Sequence, residues 1–499
     1  MRGWLKCWIV PALLVGVCGL VAGQEAQPPD FVGPFVANVT TDSVVVWWQS
    51  TEPAAGKVVV DGGPYEDTEA PYEVQVTGLK PDKAYEYHLV MDSGARYPEE
   101  GEYTFRTAPE KTSSRKFSFA MLCDSRGTKK EQPVSGDILA ALLRDAKARG
   151  AELVCFPGDL VFGYQTEEAE YRRQLRVWKA VVSEILHEMP IYATMGNHDV
   201  LTHRDQDDFG PYDLDGVMRD GRLVSGEEVF AEEFVNPTNG PRGGETEDAP
   251  PYAETCYSLD YGNCHLTFIN TNYWVGTRAF PYIPGDPCRL YKRGNPEGRI
   301  MDRQLNWVRY DLDQARKRGM THLFILGHEP AFPVGKHVDD AMYYDGNATL
   351  SLKKDVRERR HSLWSMWSDD RVLVAFFGDE HNYSRGLMGP VGKGWYDPPV
   401  WQVISGGAGA PLTTEKMPKA GPGEEYVPPE TPHPYRRLDM PWSDAIRAFA
   451  IDYHYCLVHV EGSKVSLEVW AMPEDFDPTS PDMPEMKLID QVKDLTVRD

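Results

Sequence analysis

Two rhythms of hydrophobic and polar positions divide the chain. Residues 30–108 alternate, as in DSVVVWWQS, GKVVVDG, YEVQVTGL, AYEYHLVMD and EYTFRTAP. Short alternating runs broken by Gly, Pro and Asp are half-buried strands, and their regular spacing without a helical period predicts a small all-β sandwich. After KTSSRK the rhythm changes. FSFAMLC, AELVCF, MPIYATM, HLTFINT, THLFIL and RVLVAFF are almost unbroken apolar runs, the pattern of strands covered on both faces. GDILAALLRDAKARG, the stretch from Glu167 to about Glu188, MDRQLNWVRYDLDQARKRG and RHSLWSMWSDD lie between them and read as helices. Buried strands alternating with helices predict sheets with helices on their faces. YSLDYGNCHLTFIN and DYHYCLVHVEGSKVSLEVWAMP read as hairpins turning at Tyr261-Gly262 and Gly462-Ser463. Residues 202–254 and 411–444, rich in Asp, Gly, Pro and Glu, are expected as loops that border a pocket, and residues 473–499 as a C-terminal tail.

Each buried strand runs at once into a polar cluster. AML ends in CDSRG, VCF in PGDLV, IYATM in GNHD, FIL in GHEP and AFF in GDEH. Open α/β sheets bind ligands beyond the carboxyl ends of their strands, so the five clusters are expected to converge. Asp124, Asp159, Asn197, His328, Asp379 and His381 are oxygen and nitrogen donors of the kinds that hold divalent metals. A carboxylate has two oxygens and can bridge two cations, and Asp159 is the natural bridge. Two cations so held can clamp a phosphate and ionise water.

Charge sharpens this picture. The 499-residue chain has a net charge of −24, which repels phosphate backbones and argues against a nucleic-acid partner. An anionic ligand then needs a local positive centre, which bound cations would supply. Arg2 and Lys6 precede an apolar stretch that ends at the small residues Ala22 and Gly23, so residues 1–23 are expected to be a secretory signal peptide. That implies a secreted, periplasmic or extracellular protein with no stable membrane span. Cys123 and Cys155 fall in apolar strands and are expected to be small buried hydrophobes.

The order D-x-x-G, GD, GNHD, GHxP and GxxH resembles the calcineurin-like metallophosphoesterase superfamily. The leading β-sandwich, with TGLKPDKAYEYHLV and YTFRTAP in the order of a fibronectin type III domain, joins YSLDYGNCHLTFINT and GDEHNYSR in a likeness to purple acid phosphatases and their bacterial relatives. The resemblance spans about residues 30–470. It implies an α/β (α+β) four-layer sandwich over residues 115–472, two packed β-sheets flanked by helices, behind the all-β sandwich. It implies two divalent metal ions, of Mn, Fe, Zn, Mg or Ca. Asp124, Asp159 and His381 match ligands of the first; Asp159, Asn197 and His328 match ligands of the second. His198 matches the histidine that touches phosphate and helps the leaving group depart, with Asp199 orienting and charging the imidazole. Tyr383, just after His381, is expected to line the substrate pocket.

The chain departs from that pattern at three positions. Arg126 stands where the first motif has histidine, Asp379 where GHxH has its first histidine, and Gly127 where the purple enzymes have an iron-binding tyrosine. Asp379 removes one positive charge from the centre and Arg126 returns it. Arg126 is therefore expected to clamp phosphate and Asp379 to be a hard oxygen ligand, favouring Mn, Mg or Ca. The competing expectation pairs Arg126 with Asp379 or Asp124 in a site that has lost a metal. The chain thus reads as an exported, metal-dependent phosphoric-ester hydrolase of phosphorylated small molecules, in which a metal-bound hydroxide attacks phosphorus in line. The alternative is a non-catalytic phosphate- or glycan-binding surface protein on a degenerate site. Retention of Asp159, His198 and Asp199 favours the enzyme.

Overall fold

The computed structural model describes residues 25–498 except 52–53, 67–71, 202–216, 220–221, 248, 276–294, 340, 344–349, 390–395, 413–440, 478–479 and 481–482. The expected signal peptide, His203, Cys288 and much of the two expected loops lie outside the described residues. No helix among the described residues is long and apolar enough to cross a membrane.

The alternating N-terminal segment folds into two facing sheets. One joins Phe31–Ala37, Ser43–Ser50 and Glu73–Thr77; the other joins Gly63–Glu66, Gly56–Val60 and Ala84–Met91, the last of which also pairs with Arg96–Tyr97 and Tyr103–Arg106. Alternation turns Tyr85, Tyr87, Leu89 and Met91 inward, with Val58 beside them, onto Val44, Val46 and Trp48 of the facing sheet. The sandwich leans on the end of helix Glu168–Leu186. Tyr87 Oη donates to the His187 carbonyl at 2.6 Å, and the Tyr103 and His187 rings stack at 4.2 Å.

The apolar runs build two larger sheets. The first has the order Ile191–Ala193, Ala151–Phe156, Phe117–Met121, His454–Glu461, Lys464–Ala471, Lys487–Val492. Its first three strands are parallel and the rest antiparallel. The second has the order Tyr257–Tyr261, Cys264–Phe268, His322–Leu326, Val374–Phe377, Val400–Ser405, Tyr383–Met388, Ile446–Ala450. Both expected hairpins are present. The side-chain period of two explains the packing. Phe119, Met121, Leu153 and Cys155 face Phe268, Phe324, Leu326 and Phe376 between the sheets. Their neighbours Ala120, Leu122, Val154 and Phe156 face helices Gly136–Ala148 and Glu168–Leu186. On the far side Ile325, Ala375 and Phe377 meet helices Asp302–Lys317 and Leu350–Asp369. The result is the four-layer arrangement, helix, sheet, sheet, helix, with an all-β domain in front. Five cysteines, Cys123, Cys155, Cys256, Cys264 and Cys456, are buried and free.

Two expectations change. The segment after residue 472 is not a mere tail: Lys487–Val492 adds an edge strand to the first sheet through backbone pairing with Lys464–Ala471. Part of the expected loop 202–254 is ordered structure, a short hairpin of Val217–Arg219 with Arg222–Val224 and a helix, Gly226–Glu233. That helix begins with a capping box, in which Ser225 Oγ accepts from Glu228 N at 3.1 Å and Glu228 Oε2 accepts from Ser225 N at 3.0 Å.

Candidate metal centre

Five strands end on one patch: Phe117–Met121, Ala151–Phe156 and Ile191–Ala193 from the first sheet, His322–Leu326 and Val374–Phe377 from the second. The turns that follow share a feature. Asp124, Asp159 and Asp379 all have left-handed backbones, with φ of 66°, 53° and 66°. Non-glycine residues occupy that region at a cost, and such strain concentrates at functional sites. Tight glycines let the turns meet. A Cβ on Gly196 would collide with Asp159, and one on Gly378 with Cys123 Sγ and the Asp124 carboxylate. GNHD and GDEH need glycine because their turns press against the neighbouring aspartates.

The donors fall into two groups that share Asp159. Asp124, Asp159 and His381 offer ligand atoms all within 4.8 Å of one another, and His381 Nε2 is 3.6 Å from Asp124 Oδ1. In the second group His328 Nε2 lies 3.3 Å from Asp159 Oδ1, 3.2 Å from Asn197 Oδ1 and 3.9 Å from Asp379 Oδ1. Donors each about 2.1 Å from one cation stand roughly 3.0–3.4 Å apart. The outer contacts agree with this assignment. His328 Nδ1 donates to the Pro157 carbonyl at 3.2 Å, and His381 Nδ1 to the Pro411 carbonyl at 2.6 Å, which leaves each Nε2 aimed inward as a lone pair. Asn197 Nδ2 donates to Tyr164 Oη at 2.7 Å, so its Oδ1 faces the group.

The electrostatics also call for cations. Asp124, Asp159 and Asp379 are buried. Burial and the charge of Asp159 push Asp124 well above the usual carboxylate range. Burial opposes ionisation of Asp159 as well, but positive charge at His198 and Arg126 and the His198 backbone N–H, 2.9 Å from Oδ1, hold its carboxyl below that range. Divalent cations among these oxygens would let the carboxylates ionise together. The donor set therefore fits two divalent cations.

The other expected site residues divide. His198 stands at the centre's edge, its Nε2 3.9 Å from Asp159 Oδ2 and its Nδ1 donating to the Phe162 carbonyl at 2.6 Å. Asp199 does not orient it. The Asp199 carboxylate turns inward and accepts from Leu160 N at 3.1 Å and Gly196 N at 2.9 Å, tying the GD and GNHD turns together. Tyr383 does not line a pocket. It is buried, and its hydroxyl donates to Asp490 Oδ2 at 2.6 Å, because its strand points it between the sheets. Arg126 Nε lies 3.4 Å from Asp159 Oδ2 without a hydrogen bond, so its close carboxylate is neither Asp379 nor Asp124. Three contributors escaped the sequence reading. Tyr164 orients Asn197, Glu380 clamps a loop beside the site, and His337 reaches Asp379, with Nδ1 3.2 Å from Oδ2. Glu380 stands inside GDEH, where its position was legible though its role was not; Tyr164 and His337 carry no motif.

No protein-family model matches the sequence, and no curated protein matches it. Solved structures do. The chain is similar to the purple acid phosphatase PPD1 from yellow lupin (Lupinus luteus) seeds, with a TM-score of 0.56, 18% identity, and coverage of 89% of this chain and 72% of that one. It is also similar to PhoD, with a TM-score of 0.61, 14% identity, and coverage of 95% of this chain and 92% of that one. The fold is that of a purple acid phosphatase-like metallophosphoesterase.

Proposed function

We propose that this chain is an exported hydrolase of phosphoric esters that works with two divalent cations. One is assigned to Asp124, Asp159 and His381, the other to Asp159, Asn197, His328 and Asp379. The observation that carries the reading is the pair of buried donor groups sharing Asp159, at the carboxyl ends of strands from both sheets. Cations bound there would polarise phosphoryl oxygens and make water a nucleophile at neutral pH. The chain's own residues do the rest. Arg126, with its side chain 15% exposed, presents a guanidinium fork that matches two phosphate oxygens. His198 holds a proton on Nδ1 against the Phe162 carbonyl, which leaves Nε2 facing the centre; in the doubly protonated imidazolium that Nε2–H would hydrogen-bond substrate and pass its proton to the leaving oxygen. Tyr164 packs edge-on against His198 at 4.5 Å and steadies the ring. Asp199 positions the two turns. A phosphorylated small molecule is the substrate class, mono- or diester.

The test uses the purified chain, stripped with a chelator and then reloaded with Mn²⁺, Zn²⁺, Mg²⁺ or Ca²⁺, and assayed on nitrophenyl mono- and diesters. Turnover should vanish on stripping and return with a divalent metal. Asp159→Asn should lose both turnover and metal, since a neutral amide bridges two cations poorly. Full turnover in chelator, with no metal by elemental analysis, overturns the reading.

A further inference from the structure

The GHEP turn carries an acid beside its histidine. Glu329 directly follows His328 and is buried, with 1% of its surface exposed. His328, Glu329 and Asp379 each offer a ligand atom, and the three atoms lie within 4.8 Å of one another. Donors about 2.1–2.4 Å from one octahedral cation stand roughly 3.0–3.4 Å apart when adjacent and about 4.2–4.8 Å apart when opposite, so this spread fits one ion. Asp379 is turned so that it can serve. His337 Nδ1 pairs with Oδ2 at 3.2 Å, and Oδ1 is the oxygen that faces His328 Nε2, at 3.9 Å.

Neighbouring residues fix the Glu329 carboxylate. Thr271 Oγ1 accepts from His328 N at 3.2 Å and from Glu329 N at 3.0 Å, which pins the turn. Both of its lone pairs are then used, and its proton goes to Asn272 Oδ1 at 3.0 Å. With Oδ1 so committed, the Asn272 amide presents Nδ2 to Glu329 Oε1, at 2.9 Å. Asn272 is itself held by its backbone N–H, which donates to Asn270 Oδ1 at 3.0 Å. Thr271 and Asn272 are fully buried. A hydrogen bond from a fixed amide to one carboxylate oxygen is the outer contact that metal-ligating carboxylates have. A buried turn whose own hydrogen bonds are already made costs little further entropy to ligate.

We infer that Glu329 is a direct ligand of the second cation, joining Asp159, Asn197, His328 and Asp379. Asn272 is the positioning residue that aims it. This rests on the dinuclear reading above and deepens it. Four oxygen donors and one imidazole then face the second cation, a hard set that prefers Mn²⁺, Mg²⁺ or Ca²⁺ to Zn²⁺. The carboxylates of Asp124, Asp159, Glu329 and Asp379 balance the charge of two divalent cations, so the net positive charge that meets an anionic substrate falls to Arg126.

The test is metal binding, read without turnover. Stripped wild-type chain is titrated with Mn²⁺, the free ion being counted by its paramagnetic resonance signal, and should take up two ions. Glu329→Gln keeps the shape of the side chain and an oxygen for Asn272 but removes the charge. It should keep one site and weaken the other toward Mn²⁺ by more than about 100-fold, beyond the roughly 10- to 100-fold that loss of an outer partner costs. Its affinity for Zn²⁺ should fall less, since a hard oxygen has been lost and the imidazole kept. Diffraction from Mn²⁺-loaded wild-type crystals should place a Glu329 oxygen about 2.2 Å from the ion. Two equally tight Mn²⁺ sites in Glu329→Gln would overturn the inference and leave the dinuclear reading standing. So would a loaded wild-type structure in which the ion stands more than about 3.5 Å from both Glu329 oxygens, since Glu329 would then only support His328. A wild-type chain that takes up no metal would sink the dinuclear reading itself, and the inference with it.

Discussion

At Arg126 two roles compete within one side chain. Its Nε faces Asp159 Oδ2 at 3.4 Å without a hydrogen bond, which leaves the fork free for a phosphate. A bidentate, charge-assisted contact of this kind is worth about 1.5–3 kcal/mol. Arg126→Ala should therefore raise KM for phosphoesters by roughly 10- to 100-fold and weaken inhibition by free phosphate similarly, with little change in Tm. Arg126→Lys should recover part of the loss, because a point charge lacks the fork. A large drop in Tm with unchanged phosphate inhibition would show that Arg126 only neutralises buried carboxylates. His454 makes a different residue-scale prediction. It is fully buried, and burial lowers it from 6.5 to about 4. Its ring sits between Ser405 Oγ at 3.0 Å and the Asp452 carbonyl at 2.7 Å. Folded, the ring is neutral; unfolded, it takes a proton below pH 6.5. Its contribution is full above about pH 6.5 and shrinks as pH falls toward 4, by about 3 kcal/mol in all. Stability curves of wild type and His454→Asn should therefore diverge over that interval, the variant falling less steeply. Parallel curves would show that the ring does not titrate this way.

Elements differ in how openly the sequence declares them. Strands such as Phe117–Met121 and Ala151–Phe156 are covered on both faces, so their apolar runs are visible, and the turn that ends each one is where the chemistry must sit. That is why the turns carrying Asp124, Asp159, Asn197, His328, Asp379 and His381 could be expected to meet from order, while the assignment of each donor to a cation came from the resemblance. Adjacency misled at Asp199 and Tyr383. A residue next to a site residue in sequence points elsewhere when the backbone is a tight turn or a strand of period two. His337 was invisible because its partner is brought near only by the folded loop. Lys487–Val492 was invisible for another reason: its exposed and half-buried positions show no apolar alternation, and an edge strand can be specified by backbone pairing alone. Helix Gly226–Glu233 was legible in principle, since S-x-x-E stands at residues 225–228. Ser225→Ala should cost about 1 kcal/mol through loss of the cap. Hydrogen exchange at the Glu227, Glu228 and Val229 amides should quicken; unchanged exchange there would show that packing alone sets the helix start.

Across the whole molecule, the edge strand does more than lengthen a sheet. Asp490 on Lys487–Val492 belongs to the first sheet, yet its carboxylate binds side chains of the second. It accepts from Tyr383 Oη at 2.6 Å and from Arg385 Nε at 2.8 Å and Nη2 at 3.2 Å. Tyr383 and Arg385 lie on the strand that directly follows the GDEH turn, so this polar tie pins the sheet that carries Asp379 and His381 to the sheet that carries Asp124 and Asp159. The three groups are largely out of water, with side chains 10% exposed at Arg385 and 15% at Asp490. Removing one partner then strands the others. Asp490→Ala should cost about 3–5 kcal/mol, as expected when a buried cation loses its counter-charge. Replacing the whole network should cost far less, because an apolar cluster of similar volume has nothing left unsatisfied. The triple variant Tyr383→Phe, Arg385→Met, Asp490→Leu should recover most of the thermal midpoint lost in Asp490→Ala, apart from the packing of Arg385 on the Trp401 ring at 5.1 Å. Its metal uptake separates two meanings of the tie. Recovered stability with weakened uptake would show that the polar network sets the registry of the two sheets at the metal centre. A midpoint for Asp490→Ala within about 1 °C of wild type, or less than about 1 kcal/mol for a domain of this size, would show that the tie does not join the sheets at all.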